Sequence, residues 1–362
     1  MNSISESFRE KIAGMSDSAS HTLDFYASMT VCPSDVRKIR THVAAVGTRL
    51  DPLRNVLITP LFASRDTLAM MREMSADGTK VMFDSGGYYV QTGKIRYEEL
   101  YMPLLGTYRS NSWASVFTLP DHVPTARDNR ESVAHKVRDT ITYSSIFFQE
   151  MPPELRAKAM PVVQGHTLGQ IEECLKTYID LGVGYIGFGS FGTGGKTNEV
   201  NLATKKAVEL AQHVVEIAHQ HGIKVHIFGL GRPALVGMLK IIRADSFDSS
   251  SWLKAAGFGN VFLPFMRGYN VTYRNTVGKM DLGVSFDRFR ELAELTGHQC
   301  PFCDSLELLQ ARKMYRAIHN LIVMSESVTM ANNNQWERIA HIYENGSAKY
   351  REDYQKWLRI GS

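Results

Sequence analysis

The chain has 362 residues and a formal net charge of +4, with 44% hydrophobic and 22% charged residues, 28 Gly and 12 Pro. That balance is the balance of a folded globular chain and excludes disorder, collagen-like repeats and low complexity. No apolar run approaches the roughly 18 residues a membrane span requires, and the start, MNSISESFREKIAGMSDSAS, lacks an apolar signal core, so a cytoplasmic protein without a membrane partner is expected.

Residues 1–50 are expected to form an N-terminal extension. From about residue 55 one rhythm repeats: a short β-rich run closing on small or acidic residues, then a stretch with helical spacing of apolar residues. The predicted strands are NVLITP (55–60), KVMFDSGG (80–87), WASVFTLPD (113–121), AMPVVQG (159–165), GYIGFGS (184–190), KVHIFGLG (224–231) and ADSFDSS (244–250). Between them LGQIEECLKTYIDLG, ATKKAVELAQHVVEIAHQHG and PALVGMLKII read as helices, the second closing at Gly222. No linker interrupts the series, which predicts an α/β fold with one (β/α)8 TIM barrel over residues 51–290 rather than two doubly wound domains. An eighth strand is not identifiable. The rhythm breaks after Asp248, and residues 254–279 read as a hairpin insertion. Residues 291–362 are expected to hold a zinc-binding subdomain, with a long helix from about Ser305 to Ser325, and charged C-terminal helices including WERIAHIYENG and YREDYQKWL.

Catalytic groups of a parallel barrel sit at the C-terminal ends of its strands. Here those ends carry Asp84, Asp121, Gln164 and Asp248. A single aspartate there would read as a helix cap or turn residue; three with a glutamine supply a nucleophile and an acid/base for a double displacement at a sugar carbon. In DSGGYYV the glycines let the backbone approach a flat ligand, on which Tyr88 can stack. FGSFGTGGKTN approaches a P-loop but has Ser190 where that motif needs glycine, so it reads as a glycine-rich loop lining a pocket.

Four cysteines are too few for a disulfide framework in so long a chain. Cys32 and Cys174 are expected to be buried fillers. His298-x-Cys300-x-x-Cys303, followed sixteen residues later by His319, offers a Cys2His2 set for one structural Zn2+. Read as a redox pair instead, the CxxC lacks a surrounding thioredoxin-like pattern. Residues 224–290 carry ten Lys/Arg against four Asp, interleaved with Phe265, Tyr269 and Tyr273. Lys254, Arg267, Arg274 and Lys279 are the candidate phosphate contacts of a nucleic acid with unstacked bases, although a solvated hairpin would look similar.

Taken in order, FDSGGYYV, the Asp121-His-Val-Pro turn, VVQG, GYIGFGS, FGLG, FDSSS and a Cys-x-x-Cys with a later IHNL resemble the guanine transglycosylase family across residues 80–321. Its members cut guanine from a nucleic acid and insert a 7-deazaguanine, on a (β/α)8 barrel with a zinc subdomain. The resemblance implies Asp248 as the nucleophile on C1′ and Asp84 as the acid/base for the departing and entering bases. It further implies Asp121 as acceptor for guanine N1–H and the exocyclic amine, and Gln164 with the Gly189-Ser190 backbone as ligands of O6 and the 7-substituent. Tyr88 would stack on the base, and Gly229 with Gly231 would floor the pocket. Cys300, Cys303 and His319 match zinc positions, and His298 stands where the family often has another cysteine.

Two departures bear on the substrate. Ser249-Ser250-Ser251-Trp252 replaces the Pro-Thr-Arg pattern of bacterial tRNA enzymes, and the sequence stops at Ser362 without an archaeal-type RNA-binding extension. The expectation is therefore the branch resembling DNA 7-deazaguanine transglycosylases of phages and bacterial DNA-modification clusters, inserting a base such as preQ0; the alternative is tRNA. A phage-encoded copy would work in the host cytoplasm. The expected partners are DNA and a free 7-deazaguanine base, and a duplex substrate leaves room for accessory proteins that open it. A P-loop nucleotide hydrolase is disfavoured by Ser190, and a catalytically silent barrel by the intact Asp84, Asp121 and Asp248.

Overall fold

All seven runs read as strands are parallel strands in the computed structural model, which describes residues 21–29, 32–46, 50–125, 127–190, 204–272 and 284–346. An eighth strand precedes them. In chain order they are β1 (Asp24–Ser28), β2 (Asn55–Ile58), β3 (Lys80–Phe83), β4 (Val116–Thr118), β5 (Ala159–Met160 and Val162–Val163), β6 (Tyr185–Phe188), β7 (Lys224–Ile227) and β8 (Ser246–Ser249). The first half of β5 pairs with β4, the second half with β6, and β1 pairs with both β2 and β8. Pro161 splits β5 because it has no N–H to give the ladder, yet its carbonyl accepts from Gly187 N at 2.8 Å. The two ends of the nine-segment order are thus halves of one strand, and eight strands close a TIM barrel.

β1 corrects the expected boundary at residue 50. DFYAS is short and begins on an acid, so it carries little strand signal, but it is buried between β2 and β8 in the register Tyr26 opposite Asp248.

Strand parity separates two cores. Tyr26, Leu57, Met82, Val116 and Met160 fill the barrel interior. Their neighbours Phe25, Val56, Phe83, Phe117 and Phe247 face outward into the layer packed by the helices. Phe83, Phe117 and Phe247 are wholly buried, and removing each from water stabilises by about 1.5–3 kcal/mol. Ser64, Asn129, Thr167, Thr204 and Ser285 begin helices by accepting from backbone N–H groups of the first turn. No helix among the described residues is long and apolar enough to cross a membrane.

After β8 the chain forms α1 (Ser251–Gly257), then a two-residue antiparallel ladder joining Asn260–Val261 to Tyr269–Asn270. The hairpin therefore starts later than residue 254, and Lys254 lies on α1. The expected long helix is two, α2 (Leu306–Ala311) and α3 (Lys313–Asn332), parted at Arg312. α3 locks onto the barrel flank through Asn320, which donates to the Trp252 and Asn260 carbonyls and accepts from Phe262 N. Arg274, Lys279, Tyr273, the Gly195-Lys196-Thr197 segment and YREDYQKWL lie outside the described residues. Cys174 is buried as expected, whereas Cys32 is exposed.

Candidate active site and metal centre

Parity carries the interior row upward to the barrel mouth, where Ser28, Thr59, Asp84 and Asp248 each stand two residues beyond an inward-facing side chain. Asp248 is 7% exposed. Its Oδ2 accepts from Ser28 Oγ at 2.5 Å and its Oδ1 from Gly229 N at 2.7 Å. Gly229 reaches it with φ 62°, a left-handed conformation that any side chain would strain.

Asp84 accepts from Thr59 Oγ1 at 3.0 Å and Gly86 N at 3.3 Å. Desolvation, then the charge of Asp121, outweigh the Thr59 bond, and with a smaller push from Asp248 they raise its pKa from 3.8 to about 7. Burial likewise pushes Asp121 up, opposed by its bonds from Ser85 and Gln164.

Asp121 accepts from Ser85 Oγ and from Gln164 Nε2, each at 2.7 Å. Gln164 is wholly buried and its Oε1 accepts from Ser190 Oγ at 2.6 Å, while Ser190 accepts from Gly165 N. Gly189 is required beside them, since a Cβ there would lie 2.5 Å from Gln164 Nε2. One network therefore links Ser85, Asp121, Gln164 and Ser190 and fixes the orientation of the Asp121 carboxylate and the Gln164 amide.

Tyr88 stands at the rim, 40% exposed, with Lys254 Nζ 5.6 Å from its ring centroid. Lys254 thus joins the mouth, whereas Arg267 covers Tyr269 on the hairpin at 5.2 Å. Gly231 is buried against β8, and its carbonyl accepts from the hydroxyls of Ser249 and Ser251. Sequence reasoning missed Ser28, Thr59 and Ser85, the hydroxyls that hold the three carboxylates. Thr59 follows from parity along NVLITP, whereas Ser28 does not, because DFYAS carries little strand signal of its own.

The second cluster is separate. His298, Cys300, Cys303 and His319 bring four ligand atoms within 4.8 Å of one another. The sulfurs are 3.3 Å apart and lie 3.3 and 3.4 Å from His319 Nδ1, a little inside the ~3.8 Å edge of a tetrahedron built on Zn–S bonds of about 2.3 Å. Both imidazoles are oriented from behind: His298 Nδ1 lies 2.5 Å from Glu326 Oε2, and His319 Nε2 lies 2.8 Å from the Phe262 carbonyl. His298 Nε2 is buried without a hydrogen-bond partner. That orphaned nitrogen and the backing of both rings fit a metal ion, for which outer partners fix the tautomer. The hydrogen bond with Cys303 pulls the Cys300 thiol well below its usual range.

Compared with models of known protein families and with curated proteins, the chain matches none.

Proposed function

We propose that the chain is a pentosyltransferase that exchanges guanine in DNA for a 7-deazaguanine base such as preQ0, through a covalent aspartyl-glycosyl intermediate. The observation that carries this reading is the contrast between two carboxyls at one barrel mouth. Asp248 is held by donors on both oxygens, while Asp84 is pushed up to about 7 and can give or take a proton near neutrality. The ordered motif resemblance supplies the reaction class.

Asp248 attacks C1′, and the C1′–N bond breaks with its electron pair leaving on guanine, which Asp84 protonates. The nitrogen of the entering base then bonds to C1′, Asp84 accepts its proton, and Asp248 is released. Two displacements retain the β configuration, which one would invert. Asp121 and Gln164 recognise the guanine edge, Gly189 and Ser190 the O6 side, and Tyr88 covers the base. The target nucleotide must leave the stack, since its C1′ is otherwise shielded, and this costs a few kcal/mol. Lys254 and Arg267 offset that cost through phosphate contacts.

DNA is proposed over tRNA because Ser249-Ser250-Ser251-Trp252 stands where bacterial tRNA enzymes of the resembled family carry a Pro-Thr-Arg pattern. The metal is proposed to be Zn2+ in a structural role, held by His298, Cys300, Cys303 and His319 and closed to substrate. Incubation with labelled 7-deazaguanine bases and either DNA or tRNA, followed by digestion to nucleosides, tests the reading: label is expected in DNA. Label in tRNA alone makes the substrate tRNA, and label in neither refutes base exchange.

A further inference from the structure

Inside the barrel, below the carboxylates, polar side chains run in a row from Tyr185 through Ser246 and His226 to Asp248. His226 is fully buried. Its Nδ1 lies 2.5 Å from Ser246 Oγ, which also meets the Tyr185 hydroxyl. Its Nε2 lies 3.5 Å from Asp248 Oδ1 and has no hydrogen-bond partner. The rings of Tyr26, Phe228 and Tyr185 pack edge-on around it, with centroids 5.7, 4.6 and 6.4 Å away.

These contacts fix the imidazole proton. Burial pushes the ionisation of Tyr185 well above its usual range, so the phenol keeps its proton, and Ser246 Oγ is within reach to accept it. Ser246 then gives its own proton to Nδ1, leaving the imidazole proton on Nε2, 3.5 Å from Asp248 Oδ1. The reverse assignment sets an imidazole lone pair against a carboxylate oxygen and leaves one of the two hydroxyl protons, on Ser246 or Tyr185, to find another acceptor, both unfavourable in a dry interior.

We infer that His226 is a positioning residue for Asp248: the Tyr185-Ser246 relay keeps its proton on Nε2, 3.5 Å from Oδ1 and ready to close on that oxygen beside Gly229 N, and leaves Oδ2 to form the bond to C1′. The inference rests on the base-exchange reading. Ser28 Oγ, a single rotatable hydroxyl, swings away as Oδ2 bonds. In the second displacement the C1′–Oδ2 bond breaks, its electron pair returns to the carboxylate, and Nε2–H closes onto Oδ1 as charge reappears there. His226 therefore speeds resolution of the intermediate more than it affects binding.

Two measurements test this. Long-range proton–nitrogen NMR reads the His226 tautomer without any reaction: the Nε2–H form is expected in the wild-type chain, and a tautomer mixture in Ser246→Ala. An Nδ1–H form in the wild-type chain overturns the inference whatever the activity. In single-turnover exchange, His226→Phe should resolve the covalent intermediate about 100-fold more slowly, with the KM for free base unchanged. His226→Gln, whose amide N–H can reach the same oxygen, should recover at least about tenfold of that loss. Equal losses in the two variants, or a loss confined to KM, overturn the inference. If the wild-type chain exchanges no base at all, the function reading fails, while the tautomer still decides whether the wiring exists.

Discussion

Asp84→Asn should make the protein more stable at neutral pH while abolishing exchange. Asp84 titrates near 7 when folded against 3.8 unperturbed, so between about pH 4 and 7 the folded chain binds a proton that the unfolded chain has lost. For a raised pKa the folded state's advantage is greatest below the unfolded value and is lost as pH rises through the folded one. A shift of about 3 pH units at about 1.4 kcal/mol each sets a ceiling of about 4 kcal/mol lost by pH 8. Asparagine can still accept from Thr59 and Gly86 through its carbonyl oxygen and has no charge to desolvate, so its variant escapes that loss. Urea unfolding at pH 4.5, 6 and 8 should show the Asn variant gaining on wild type by about 2–4 kcal/mol over the range. A variant less stable than wild type at pH 8, or a difference flat across pH, would refute the placement of Asp84 as a desolvated acid beside Asp121 and Asp248.

Asp248→Asn should fold normally and form no covalent adduct with nucleic acid, read by denaturing electrophoresis; an adduct at another residue would displace Asp248 as nucleophile. Stripping metal with a chelator should lower unfolding stability by several kcal/mol, because α3 joins the cluster to the barrel through His319 and Asn320. Elemental analysis finding no zinc in freshly purified protein would sink the zinc assignment. Gly189→Ala should cost about 1–3 kcal/mol and weaken free-base binding measured by calorimetry, since the new methyl would displace Gln164 from Asp121. Lys254→Ala should weaken DNA binding across sequences and reduce the salt slope by about one; an unchanged slope would remove Lys254 from the phosphate path.

What could be read from the sequence follows from where the physics leaves a local trace. Barrel strands buried on both faces are short apolar runs, and seven of them announce themselves against intervening helices. Asp84, Asp121, Gln164 and Asp248 close such runs, and a carboxylate after a buried strand stands out because it is costly to bury. β1 left no such trace. Its five residues include an acid and a serine, and what makes DFYAS a strand is the space between β2 and β8.

Missing β1 hid more than a strand, because the side chains that tune the carboxylates come from its neighbours in space. Ser28 is 220 residues from Asp248, and no spacing rule connects them. The link appears only when parity is applied across the closed barrel: Tyr26 lies opposite Asp248, and Ser28, two residues on along β1, faces the same interior. The same rule places His226, opposite Ser246 on β8, in the layer beneath the mouth. A histidine between Val225 and Ile227 reads locally as a core filler, and only its reach to Asp248 distinguishes it. The acids were legible because burying them is unfavourable in any fold; the groups that make them useful were not, because a hydroxyl or imidazole acquires its role from the partner that barrel closure brings to it.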